Sequence, residues 1–76
     1  MRYIIYGAGA VGGAIGGRLF QAGRDVVLIA RGAHLEAIRA NGLTLESPDG
    51  RDVLPIPAVG GPGELELSRD DVVVLA

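Results

Sequence analysis

Apolar and polar positions along this chain fall into blocks whose period changes. Residues 2–6 turn apolar after Arg2 on both faces, as a strand buried on both sides of a parallel sheet must be. In residues 10–22, Val11, Ala14, Ile15, Leu19 and Ala22 recur at helical spacing, which predicts a helix, and Gly23 is a natural stop. Residues 25–30 read as a second buried strand. Residues 33–41 read as a shorter helix carrying Leu35 and Ile38, closed by Asn41-Gly42. The pattern then changes. Residues 43–46 and 51–54 flank Ser47-Pro48-Asp49-Gly50, where Pro second and Gly fourth fit a type I turn, so a β-hairpin is expected. Residues 55–63 read as a Pro/Gly loop, and residues 64–70, polar with two leucines, as one helical turn or none. Residues 71–76 form a last apolar strand. Apolar strands alternating with helices place the chain in the α/β class, with a parallel sheet, right-handed crossovers and an inserted hairpin.

Composition narrows the possibilities. Seventy-six residues make at most one small domain. A domain of roughly 60 residues buries only about 60% of the surface its unfolded chain exposes, so marginal stability is expected. With 49% hydrophobic and 21% charged residues the chain is globular rather than disordered. A net charge of −2 offers no electrostatic footprint for nucleic acid. Cysteine is absent and histidine occurs once, which argues against a disulfide framework or a metal site. The apolar runs fall far short of the roughly 18 residues that span a membrane. The first run ends in glycines rather than a cleavage site, so no signal peptide is expected and the expected location is cytoplasmic.

The candidate chemistry begins where the first strand ends. Gly7-Ala8-Gly9-Ala10-Val11-Gly12 is a Gly-x-Gly-x-x-Gly loop between a strand and a helix, the sequence form of a dinucleotide-binding turn. In such a turn Gly7 makes the tight bend, Gly9 lets backbone approach a pyrophosphate, and Gly12 lets helix and strand pack closely. The plainer reading is a glycine-rich turn needed only for packing. The helix itself favours the functional reading by its cost. It holds Gly12, Gly13, Gly16 and Gly17, and each Gly loses ~1 kcal/mol against Ala in a helix interior. Gly12 and Gly16 lie one turn apart on one face, suited to close approach to the sheet. Gly13 and Gly17 occupy an adjacent face, suited to packing against another segment. The fold expected is therefore Rossmann-like, its first β-α-β-α-β portion, with the first amides of the helix aimed at a pyrophosphate.

The end of the second strand selects among dinucleotides. A carboxylate there accepts hydrogen bonds from the ribose 2′-OH of NAD, whereas an Arg accommodates the 2′-phosphate of NADP. Here Ala30-Arg31-Gly32 stands at that position, and no carboxylate lies between Asp25 and Glu36. A guanidinium pairs with phosphate bidentately, so Arg31 points to NADP. The alternative is an Arg that ends a strand in water. His34 either touches the adenine or phosphate or is simply solvated. Arg18 and Arg39 read as solvated helix charges, and Arg2 as lying at the far end of the sheet. All seven cationic residues are Arg, so amine-dependent chemistry has no source here.

These residues resemble a known family. Residues 7–13, Gly16-Gly17-Arg18-Leu19, Ala22-Gly23, residues 27–35, residues 38–43 and the strand from Asp71 are similar to the N-terminal domain of ketopantoate reductases. The resemblance implies an NADP-dependent reductase converting 2-dehydropantoate to (R)-pantoate for pantothenate and coenzyme A synthesis. Carried over, residues 7–12 would bind the pyrophosphate and Arg31 the 2′-phosphate. It also implies a helical second domain that binds the keto-acid substrate and holds the catalytic lysine and an acidic substrate-binding residue. Those positions have no counterpart in residues 1–76, so no catalytic or metal-binding residue is assigned, and no oligomeric state. Residues 1–76 are expected to be the N-terminal part of the dinucleotide-binding domain, with no turnover alone. Two alternatives stand beside this reading: a non-catalytic dinucleotide-sensing module, and a fragment that binds nothing because only one side of the strand-order switch point is encoded.

Overall fold

The computed structural model describes residues 1–7 and 9–76, apart from the side chain of Ser47. The expectation for Ala8 lies outside the described residues. Along the chain come β1 (Arg2–Tyr6), α1 (Ala10–Gln21), β2 (Asp25–Ile29), α2 (Gly32–Asn41), β3 (Leu43–Ser47), β4 (Gly50–Leu54), β5 (Ala58–Val59), a 3-10 turn over Pro62–Glu64, and β6 (Asp71–Leu75). Four strands form one parallel sheet in the order β5-β2-β1-β6. The other two pair as the expected antiparallel hairpin, Leu43 opposite Leu54 and Ser47 opposite Gly50, with Pro48-Asp49 between them.

The sheet explains the doubly apolar strands. Ile4 lies between Val27 and Val73, and Ile5 between Leu28 and Val74. Ile4, Ile5, Val26 and Leu28 are fully buried. Ile5, Val26 and Leu28 continue into a core with Ala30, Ile38, Leu43, Ile56 and Ala58. Removing such side chains from water drives the fold, at ~1.5–3 kcal/mol for each large aliphatic residue.

Helix α1 ends as its sequence requires. Gly23 adopts φ +82, its amide donates to the Phe20 carbonyl at 3.0 Å, and the Arg24 amide donates to Leu19 at 3.0 Å. This pair of bonds is a Schellman motif, and the left-handed residue at its centre favours glycine. Glycines make the closest approach of α1 to the rest of the fold, with Leu19 and Phe20 packing against the core in its last turn. Gly12, Gly13, Gly16 and Gly17 are its buried residues, whereas Val11 and Ile15 are 67% and 38% exposed. A Cβ at Gly16 would stand 2.7 Å from a Leu28 methyl and 3.3 Å from Ile5, and one at Gly17 3.2 Å from Leu45. One glycine face thus meets the sheet and the adjacent one meets the hairpin. Gln21 adds a side-chain bond to Asp52 of β4 at 2.7 Å.

Two expectations need correction. The loop over residues 55–63 contains a strand, β5. Two residues carry no readable period, and Pro55 and Pro57 signal a loop. At a sheet edge, however, Pro57 needs no amide. Its carbonyl accepts from Leu28 at 2.9 Å, and the Val59 carbonyl accepts from Ala30 at 3.0 Å. Second, β6 pairs with β1 on the side away from β2. The order corresponds to strands 3-2-1-4 of a dinucleotide-binding sheet, so strands from both sides of the switch point are present. The long path from β5 over to β6 could not be read from local pattern. The helical turn in that path falls at Pro62–Glu64, and residues 65–70 hold none.

Candidate functional site

The C-terminal ends of β1 and β2 meet in a small cleft. Gly7 follows β1 with φ +99, and its amide donates to the Ile29 carbonyl of β2 at 3.2 Å. A Cβ there would stand 3.0 Å from the Ala76 carbonyl oxygen. At Gly12 a Cβ would fall on the carbonyl oxygen of Gly7, with the Ala76 methyl 3.1 Å away. Both glycines are thus required by the fold, because the loop folds back onto the first turn of α1.

Gly9 is different. Its φ is −74, open to any residue. A Cβ built on it meets nothing within 4 Å. Packing gives no reason for glycine here; the space beside its backbone is what a larger residue would take from a ligand. Gly9 caps α1 with no side-chain bond and no acidic residue in the first turn. Its carbonyl accepts from Gly13 at 2.7 Å to start the helix. The positive end of the helix dipole therefore faces this space without a local counter-charge.

The cleft, about 220 Å³, is lined by Tyr6, Gly7, Gly9, Ile29, Ala30, Arg31 and His34. Arg31 leaves β2 and caps α2 in an extended conformation, again with no acidic residue in the first helical turn. Among the described residues no hydrogen bond or ion pair engages its side chain. Gly7, Gly9 and Arg31 are thus brought to one cavity, while Gly12 lies behind its wall. Ala10 and Val11 are exposed on the first turn of α1 and do not line it. Tyr6 and Ile29 also line it, residues the sequence did not single out, together with Ala30 at the end of the second strand; their signal was their place at the strand ends.

Two other arginines, Arg2 and Arg39, are already engaged. Arg2, at the opposite end of the sheet as expected, donates to both Asp71 carboxylate oxygens at 3.2 and 2.8 Å and to the Glu66 carbonyl at 2.8 Å. The Arg2 guanidinium, and after it the Ser68 amide, hold the Asp71 carboxyl below its ordinary pKa. A broader hollow of about 680 Å³ lies between α2 and residues 53–58. Its charged lining residue, Arg39, is occupied by the Ala58 carbonyl and by Glu64. No helix among the described residues is long and apolar enough to cross a membrane.

Known proteins share this fold. The pattern of the family "Ketopantoate reductase PanE/ApbA" matches residues 3–76. A 2-dehydropantoate 2-reductase of Mesorhizobium japonicum is 47% identical over all of this chain, which spans 23% of that protein. A crystal structure of a PanE/ApbA family ketopantoate reductase from Ralstonia eutropha JMP134 superposes with a TM-score of 0.87 at 40% identity, over 99% of this chain and 24% of that one. A D-mandelate dehydrogenase, solved as a ternary structure with NADH and anilino(oxo)acetate, superposes at 0.82 with 33% identity, over 100% of this chain and 24% of that one. The chain thus spans about a quarter of the length of these relatives.

Proposed function

The chain belongs to the ketopantoate reductase PanE/ApbA family, and we propose that it forms the NADPH-binding portion of a 2-dehydropantoate 2-reductase-like oxidoreductase. The observation that carries the reading is Gly9, a glycine with no packing reason, beside an open cleft that also holds the unengaged Arg31. In this reading residues 7–12 cradle the pyrophosphate: Gly7 and Gly12 shape the turn, Gly9 leaves room, Ala10 and Val11 contribute backbone at the start of α1, and Ala8, outside the described residues, is assigned to the cradle by its place in the sequence. Arg31 pairs with the 2′-phosphate. The bound nicotinamide supplies hydride for reduction of a 2-keto group to a hydroxyl. The residues of this chain bind and orient; they contain no lysine to donate a proton as an amine acid. The keto-acid site and catalytic groups are assigned to the remainder of a longer protein, of which residues 1–76 are the N-terminal part of the dinucleotide-binding domain.

The test is a titration of the intact protein with NADPH and NADH, followed by an assay with ketopantoate. Tighter binding of NADPH and its oxidation by ketopantoate are expected; failure to bind either dinucleotide overturns the reading. The likeness to the D-mandelate dehydrogenase favours a second reading, an NADH-dependent reductase of another 2-keto acid to its 2-hydroxy acid. Tighter NADH, with no reduction of ketopantoate, would select it.

A further inference from the structure

We propose that His34 is a second determinant of NADPH preference, donating to the 2′-phosphate oxygen that Arg31 leaves free. The inference rests on the NADPH reading above and deepens it. His34 lines the same 220 Å³ cleft as Arg31, Gly7 and Gly9. It stands in the first turn of α2, three residues after Arg31, which caps that helix from outside it, and both residues line the cleft. Its side chain is exposed, and among the described residues no hydrogen bond or ion pair occupies it. Neither core packing nor a structural bond explains its place.

Chemistry selects the phosphate over the adenine. A 2′-phosphate carries three terminal oxygens. A bidentate guanidinium takes two of them. The third requires another donor, and an imidazole supplies an N–H whether neutral or protonated. No carboxylate lines the cleft to repel the phosphate. On its other side His34 borders a shallow groove that includes Glu46 of β3, but that carboxylate pairs with Arg51 of β4 at 3.4 Å.

The experiment measures dissociation constants of NADPH, NADH, 2′,5′-ADP and 5′-AMP for the intact protein, for His34→Ala and for Arg31→Ala. His34→Ala is expected to weaken NADPH and 2′,5′-ADP about three- to tenfold while leaving NADH and 5′-AMP within about twofold. An unchanged NADPH affinity overturns the proposal. Equal weakening of all four ligands also overturns it, because the ring would then contact the shared adenosine. Arg31→Ala separates the two levels. If it abolishes the NADPH preference while His34→Ala does not, only the His34 proposal falls. If neither variant alters the preference, the NADPH reading falls with it. Thermal unfolding of both variants controls for folding.

Discussion

The two ends of the parallel sheet use the same side chain in opposite ways. At the N-terminal end Arg2 is held by both oxygens of Asp71 and by the Glu66 carbonyl, and it joins β1 to β6. At the C-terminal end Arg31 stands at the mouth of a cleft with no carboxylate in its lining. A guanidinium already engaged by a carboxylate and a carbonyl stabilises a fold; one left without a partner beside an open backbone is available to a ligand. The glycines divide the same way. Gly7 and Gly12 are required by neighbouring backbone, whereas Gly9 faces open space. Residue type alone does not separate structure from site; the combination of an unengaged side chain and a cleft beside it does.

Substitutions can break this contrast. The largest effect is expected at Gly12. Gly12→Ala would drive a methyl onto the Gly7 carbonyl and should destabilise by about 1–3 kcal/mol, outweighing the ~1 kcal/mol that Ala gains over Gly in a helix. Urea unfolding of the intact protein would show it, and a variant as stable as the parent would remove the packing role of that glycine. Next comes Arg31→Ala. Loss of a charge-assisted bond of ~1.5–3 kcal/mol should reduce the NADPH-over-NADH preference roughly tenfold or more with the unfolding midpoint unchanged. A lowered midpoint with an intact preference would make Arg31 another Arg2.

Gly9→Ala sharpens the comparison further. It should leave stability intact, since its Cβ has room, yet weaken NADPH and NADH alike by about tenfold through clash with the pyrophosphate. Binding equal to the parent protein would mean that the open space is not the pyrophosphate site. The smallest effect is expected from Asp71→Asn, which should leave dinucleotide affinity unchanged. Because Arg2 and Ser68 lower the Asp71 pKa in the folded state, their contribution is present above the ordinary carboxylate range and is lost as pH falls through the lowered value. Acid unfolding of the variant should therefore show a smaller drop in stability between neutral pH and pH ~3. An acid profile identical to that of the parent protein would deny the pair that role.

Much of this was legible locally. Both long helices, the three long parallel strands and the hairpin follow from period, glycine stops and the Pro48-Asp49 turn, because each depends on neighbours a few residues away. The glycine loop and Arg31 were legible for the same reason, as adjacent strand ends connected by short segments. The strand at Ala58–Val59 was not, since two residues between prolines and glycines carry no pattern and the strand exists only through bonds to Leu28 and Ala30. Nor was the outward placement of Val11 and Ile15. Their helical spacing marks an apolar stripe, and Leu19 of that stripe does pack against the core, but nearer the start of α1 the sheet and hairpin come so close that glycines take the buried positions.

By itself the sequence determined an α/β chain, a dinucleotide-type turn and the absence of a carboxylate after the second strand. Tertiary structure decided the rest. It set β6 beside β1, placing strands on both sides of the switch point, and it distinguished the glycine that packing does not need from the two that packing requires. These outcomes rest on which distant backbone comes within van der Waals or hydrogen-bonding range, a property of assembled elements that no local period encodes.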